Sequence, residues 1–341
     1  MKVLVVGSKS IHLSSFLDAL HQAGVRADFL AEEECQYVGV QDEFVISFRK
    51  TDPFSVQKAN RELRKLLHHL RPAVVHIHQV NRLAYFVARQ CAKLGIPVVT
   101  TAWGSDVLLV PQQNRFYRFL VRKTLERSQI VTADSLEMIE AMKALHPASN
   151  KYMYLQYGID LIDSLPKEKI IYSNRLHKQM YRIDQVIEYM DAFRKEYADW
   201  KLIIGGAGSE TEALKRLVLD KGMSNCVEFV GWLERKDNQN WYARATIYIS
   251  IPQSDGTAVS LLEAMSAGCI PVVPDLEVSR EWINDGLNGV IEKEGKNPLL
   301  EAILLDPIQC ANMNRLKVEK DAERSACTKQ FIEYYRTLTD A

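Results

Sequence analysis

One rhythm narrows the fold more than any other feature of the chain. Short, continuous apolar runs alternate with amphipathic stretches of helical length. In the first half the runs cover residues 3–7, 27–31, 44–48, 74–78, 98–102 and 130–133. In the second half they cover residues 170–173, 202–206, 227–231, 247–251 and 270–274. A strand with one wet face alternates apolar and polar residues, whereas a strand apolar throughout is covered on both faces. Helices lying between successive strands supply that cover. The pattern therefore predicts parallel sheets in an α/β protein.

A length of 341 residues is long for one core and comfortable for two. The join falls at residues 158–169, which hold the Gly158 and Pro166 expected of a linker before a fresh apolar run begins. We expect one doubly wound, Rossmann-like domain at residues 1–163 and a second at 164–320, facing across a cleft, with ligands at the carboxyl ends of the strands. Residues 321–341 read as a helix with an apolar stripe of Phe331, Ile332, Tyr335 and Leu338. It either closes the second domain or, as we expect, returns to the first.

Composition excludes several classes. Lys+Arg and Asp+Glu both number 43, which argues against nucleic acid as the main partner, since phosphate backbones reward a basic excess. No apolar run approaches the ~20 residues of a membrane span. Met1 and Lys2 lead directly into a strand rather than a signal peptide, so a cytoplasmic location is expected. The six cysteines form no C-x-x-C pair and have no His at metal-ligand spacing; they read as reduced, buried thiols.

The most specific stretch is Ser254-Asp255-Gly256-Thr257-Ala258-Val259-Ser260-Leu261-Leu262-Glu263-Ala264-Met265-Ser266-Ala267-Gly268. It follows the run at 247–251 and reads as a helix opened by Gly256 and Thr257, with Thr257 or Asp255 as cap. The amides of Gly256, Thr257 and Ala258 would make an anion site at its start. Asp255 and Glu263 suit hydrogen bonds from vicinal hydroxyls. A capping Asp with a solvent-facing Glu explains the same spacing.

This stretch resembles the E-x(7)-E signature of retaining glycosyltransferases of family 4, with Asp in place of the first Glu. The resemblance extends over nearly the whole chain and is strongest from Ser173 to Ile291. It implies a GT-B fold and transfer of a sugar, without metal or cofactor, from a nucleotide diphosphate donor, UDP-linked by preference, to an acceptor hydroxyl. Bacterial surface polysaccharide or lipid-linked glycan is the implied setting. Glu263 would hold the ribose and Asp255 the donor sugar. Ser173-Asn174-Arg175-Leu176 is similar to the family's G-R-L turn, whose Arg clamps the diphosphate; Arg175 takes that role. The Lys usual five residues later is missing, and Lys178 or Arg182 is either its substitute or a surface charge. Gly206, in a glycine turn, would lie beside the donor. Trp232 would meet the base or merely pack.

On the acceptor side the resemblance implies the turn carrying Ser8 and Lys9, where many relatives have Gly-Gly. His76 and His78 share one face of a strand end; His78 lines the cleft, and a zinc site lacks a third ligand. Trp103 stands where relatives carry the His of an H-G-x-D turn, and would stack on a sugar ring. Asp106 contacts the acceptor or caps a helix. Two alternatives stand beside transfer: a nucleotide-sugar epimerase or hydrolase of the same fold, and a non-catalytic GT-B partner subunit.

Residues 112–127 read as one helix with Arg115, Arg118 and Arg122 on one face and Phe116, Phe119, Leu120 and Leu125 on an apolar side. It is either an ordinary domain helix or one that meets an anionic membrane surface, which would place the protein peripherally at the inner face of the membrane.

Overall fold

The structure, a computed structural model, describes residues 1–147 and 150–340. The chain divides into two compact units, Met1–Gly158 with Arg324–Ala341, and Ile159–Glu323. The first break thus falls at Gly158 rather than at residue 163, and the last helix belongs to the first unit.

Among its described residues the first unit holds seven parallel strands: β1 (Lys2–Val6), β2 (Arg26–Ala31), β3 (Glu43–Val45), β4 (Val74–His78), β5 (Val98–Thr101), β6 (Ile130–Ala133) and β7 (Tyr152–Tyr154). Their order is β3-β2-β1-β4-β5-β6-β7. The second unit holds six: β8 (Glu168–Ser173), β9 (Lys201–Gly205), β10 (Val227–Gly231), β11 (Ala245–Ile249), β12 (Ile270–Val273) and β13 (Val290–Ile291), in the order β10-β9-β8-β11-β12-β13. Each sheet starts at its centre, winds outward, then returns past its first strand and winds the other way. The reversal lies between β1 and β4 in one unit and between β8 and β11 in the other. Loops leaving neighbouring strands diverge there, which opens a crevice at the carboxyl ends.

Local sequence explains the crossovers. Asp52 accepts from the Ser55 amide at 2.8 Å and Pro53 begins the helix Pro53–Leu70, which buries Leu63, Leu67 and Leu70. Asn81 caps the helix Arg82–Leu94, and Gly95 stops it at φ 68°. The returning helix Arg324–Thr339 buries Phe331 and Tyr335 in the first unit's core. The ring of Phe331 meets that of Phe16 edge-on at 5.1 Å, and the Tyr335 hydroxyl lies 2.6 Å from His76 Nδ1. All six cysteines are free and buried.

Candidate functional site

The reversal of the second sheet collects the side chains that the sequence singles out. Arg175 leaves the end of β8, and Asp255 lies on the loop after β11. Arg175 Nη2 donates to Asp255 Oδ2 at 2.7 Å, and Nη1 donates to Ser260 Oγ at 3.1 Å. The guanidinium lies over the Tyr181 ring, 4.6 Å from its centroid. Burial is the largest single influence and works against the charge, but Asp255, Tyr248 and Tyr181 together outweigh it; the guanidinium pKa is raised and the group stays protonated. The result is a fixed cation at the crevice, held on three sides.

The helix beyond it starts later than its sequence suggests. It runs Val259–Ser266, with Ala258, which has no side chain able to cap, at the cap position. Asp255 is not its cap: Oδ1 accepts instead from the Gly256 amide at 3.1 Å. Gly256, Thr257 and Ala258 form the approach to the helix, whose first turn directs its positive end towards them. Asp255, Gly256, Thr257, Ala258, Leu276 and Trp282 line a hollow of about 340 Å³, counting its open mouth.

Glu263 is partly buried further along that helix. Burial and the neighbouring Tyr248, then the charge of Glu263, raise the pKa of both Tyr172 and Tyr242. These tyrosines belong to a polar cluster under the loop of Arg175. Asn174 Nδ2 donates to Asn238 Oδ1 at 2.9 Å and to the Tyr242 hydroxyl at 2.7 Å, and Tyr172 also donates to Asn238.

Gly206 supports this loop from below. Its φ is 102°, and a Cβ there would meet the Arg175 carbonyl oxygen at 2.4 Å; a Cβ on Gly208 would meet the His177 carbonyl at 2.4 Å. The glycines allow the backbone of residues 175–177 to lie on the turn after β9.

The two substitutes for the missing Lys part company. Arg182 is committed elsewhere: Nη1 and Nη2 donate to Glu292 Oε2 and Oε1 at 2.7 and 3.0 Å, and the Tyr189 hydroxyl donates to Oε1 at 2.6 Å. That forked pair uses the geometry that would grip a phosphate. Lys178 is exposed and enters no ion pair among the described residues. Trp232 follows β10 with 70% of its surface exposed, so it does not pack.

The first unit brings its own residues to the carboxyl ends of β1, β4 and β5. Ser8 Oγ donates to Gln79 Oε1 at 3.1 Å across the β1/β4 reversal, and Lys9 is exposed. Asp106 is buried and acts as a brace. Its Oδ2 accepts from the Val80 amide at 2.6 Å and its Oδ1 from the Trp103 amide at 3.0 Å, tying the loops after β4 and β5 together. Burial raises its pKa while these amides oppose the rise. Both oxygens are thus directed to backbone rather than to a ligand. Trp103 is partly buried against the core, with its ring 6.4 Å from that of His78. His76 has both nitrogens engaged, by Tyr335 at 2.6 Å and Thr101 at 2.7 Å. His78 Nδ1 lies 3.2 Å from the Tyr157 hydroxyl while Nε2 has no partner, and burial pulls its pKa down to about 3.

Sequence reasoning missed Ser260, Tyr181 and Glu292. Ser260 lies within the motif, but its role depends on where Arg175 falls. Glu292 follows a strand too short to show in the pattern. No cluster of three or more His, Cys, Asp or Glu suited to a metal occurs among the described residues, and no helix there is long and apolar enough to cross a membrane.

Comparison with known proteins agrees with this architecture. Residues 2–135 match the family model "Glycosyl transferase 4-like" and residues 163–315 match "Glycosyl transferases group 1". The chain is 24% identical over 311 residues to the putative glycosyltransferase EpsD of Bacillus subtilis, covering 84% of this chain and 81% of that protein. It is 28% identical over 178 residues to the poly(glycerol-phosphate) alpha-glucosyltransferase of the same organism, a match spanning 49% of this chain but only 26% of that protein's length. In three dimensions it resembles Anabaena HepE in complex with UDP, with a TM-score of 0.81 at 13% identity, over 99% of this chain and 100% of that one. With two Rossmann-like units, the first matching the 4-like model and the second the group 1 model, this chain has the two-domain architecture of the GT-B glycosyltransferases.

Proposed function

We propose that the protein is a retaining, metal-independent glycosyltransferase that moves a hexose from a UDP-linked donor to an acceptor hydroxyl of a surface polysaccharide or lipid-linked glycan, working at the cytoplasmic face of a membrane. The observation that carries this reading is the Arg175–Asp255 pair at the β8/β11 reversal, beside the start of the helix Val259–Ser266. The UDP and UDP-glucose complexes of HepE and the glucosyltransferase relative support the choice of donor.

In this mechanism the bond from the anomeric carbon to the diphosphate oxygen breaks first. Negative charge then grows on the departing diphosphate. Arg175 and the amides at the helix start stabilise it, and they are already oriented before the charge appears. Asp255 holds hydroxyls of the donor sugar and Glu263 those of the ribose. The acceptor oxygen then attacks the anomeric carbon from the side the diphosphate leaves. Its proton passes to a diphosphate oxygen, so no protein nucleophile is needed.

The test is calorimetric titration of UDP together with a UDP-sugar turnover assay, run with and without a polysaccharide-precursor acceptor. UDP binding with acceptor-dependent turnover supports transfer. Equal UDP-sugar breakdown with no acceptor favours the hydrolase or epimerase reading, and absence of UDP binding overturns the proposal.

A further inference from the structure

The helix Arg115–Arg127 turns two unlike faces outward and inward. Leu120, Val121, Thr124 and Leu125 are buried in the first unit. Phe116 and Phe119, which the sequence pattern sets on that packing side, are 56% and 48% exposed. Tyr117 is 37% exposed, and Leu109, just ahead of the short helix that packs on this one, is 49% exposed. At 100° per residue, Arg115, Phe119 and Arg122 follow one another along the outer face, and Arg118 lies on its flank. The single acid of the helix, Glu126, is paired with Lys123 at 2.6 Å. Arg115, Arg118 and Arg122 are exposed and have no ion pair among the described residues.

We infer that this face docks on an anionic phospholipid surface. Aromatic rings left in water beside unpaired guanidiniums suit the boundary between headgroups and acyl chains: the rings enter it and the guanidiniums meet phosphate oxygens. A second copy of this chain fits poorly, because a two-fold contact would set the same arginines against each other. Placement adds to the argument. β5 ends at Thr101 on the carboxyl edge of the sheet, and the helix runs from that edge back to the start of β6 at Ile130. Phe116 and Phe119 therefore lie on its opening turns, on the edge that carries Ser8 and Trp103. A lipid-linked acceptor held at the surface would present its glycan to that edge; only this last step rests on the proposed transfer reaction.

The experiment is vesicle sedimentation without donor or acceptor, comparing phosphatidylcholine alone with phosphatidylcholine plus phosphatidylglycerol, at low and high salt. The intact protein is expected to pellet with the anionic vesicles at low salt and to be released as salt screens the charges. Replacing Arg115, Arg118 and Arg122 with Gln should weaken partitioning roughly 100-fold, from about 1 kcal/mol per charge. Phe116→Ser with Phe119→Ser should weaken it at both salt concentrations. Both variants should keep UDP affinity and thermal stability, because the altered side chains are exposed. Failure of the intact protein to bind anionic vesicles at low salt overturns the inference. So does self-association in sedimentation velocity that the Phe variant abolishes, which would assign the face to a second copy. Vesicle binding needs no turnover, so this inference and the transfer reaction stand or fall separately.

Discussion

Arg175 and Arg182 stand on one loop, yet their neighbours give them opposite work. Arg175 points at Asp255 and the start of a helix; Arg182 is locked to Glu292, which Tyr189 also holds. Arg175→Ala should therefore cut kcat strongly, since a preset cation at a leaving diphosphate contributes several kcal/mol in the transition state. Arg182→Ala should leave kcat/KM nearly unchanged and lower stability by roughly 1–2 kcal/mol, because a mostly buried Glu292 loses a forked partner. Steady-state kinetics and thermal unfolding of the two variants separate these roles; a larger kinetic loss in Arg182→Ala would move the clamp. Glu263→Ala should lose about 1–3 kcal/mol of UDP affinity if it holds the ribose. Asp255→Asn should keep UDP affinity while turnover falls, because UDP carries no sugar and the variant frees Arg175 from its resting partner. Calorimetry decides both, and an equal loss of UDP in the two variants would show the carboxylate roles to be wrongly divided.

At the level of elements, the glycine turn after β9 and the loop of Arg175 form one device. Gly206→Ala should push the Arg175 carbonyl away and strain a residue at φ 102°, with loss of activity and about 1–3 kcal/mol of stability. Gly222 is the control: its φ is also positive, at 63°, but a Cβ there meets nothing within 4 Å, so only backbone strain remains and activity should persist. The sequence makes the apolar strands legible because burial on both faces leaves a continuous run. It does not show β7 or β13, whose three and two residues are too few for any period to emerge. With β13 hidden, Glu292 cannot be placed, and Arg182 looks free. The motif around Asp255 is readable, but its helix start is not: Ala258 at the cap position has no capping side chain to announce it. Asp106 shows the same limit, for only the fold reveals that two backbone amides already occupy its oxygens.

For the whole molecule, two buried histidines couple the first unit to pH. Burial first, and for His76 also the neighbouring His78, hold both folded pKa values below the usual 6.5, with His78 near 3. The unfolded chain then binds more protons than the folded one once pH drops below about 6.5. Stability is full above that point and drains as pH falls, for His78 by about 1.4 kcal/mol per unit until pH nears 3, with His76 acting in the same direction. Urea unfolding at pH 7 and pH 5 should show the loss, and His78→Asn should flatten the slope; an unaltered slope would mean that other groups set it.

His76 is held by Tyr335, which stands on the last helix, beyond the whole second unit. That arrangement has a temporal meaning. A ribosome delivers residues 1–158 first, but the apolar stripe that completes their core arrives last. The unit encoded second is contiguous and has all its strands once Glu323 has emerged. During synthesis the later unit can finish before the earlier one, which must wait, partly open, for Phe331 and Tyr335. Nascent chains stalled before Arg324 should resist protease across residues 159–323 while residues 1–158 are still cut, and release of the full chain should close that window.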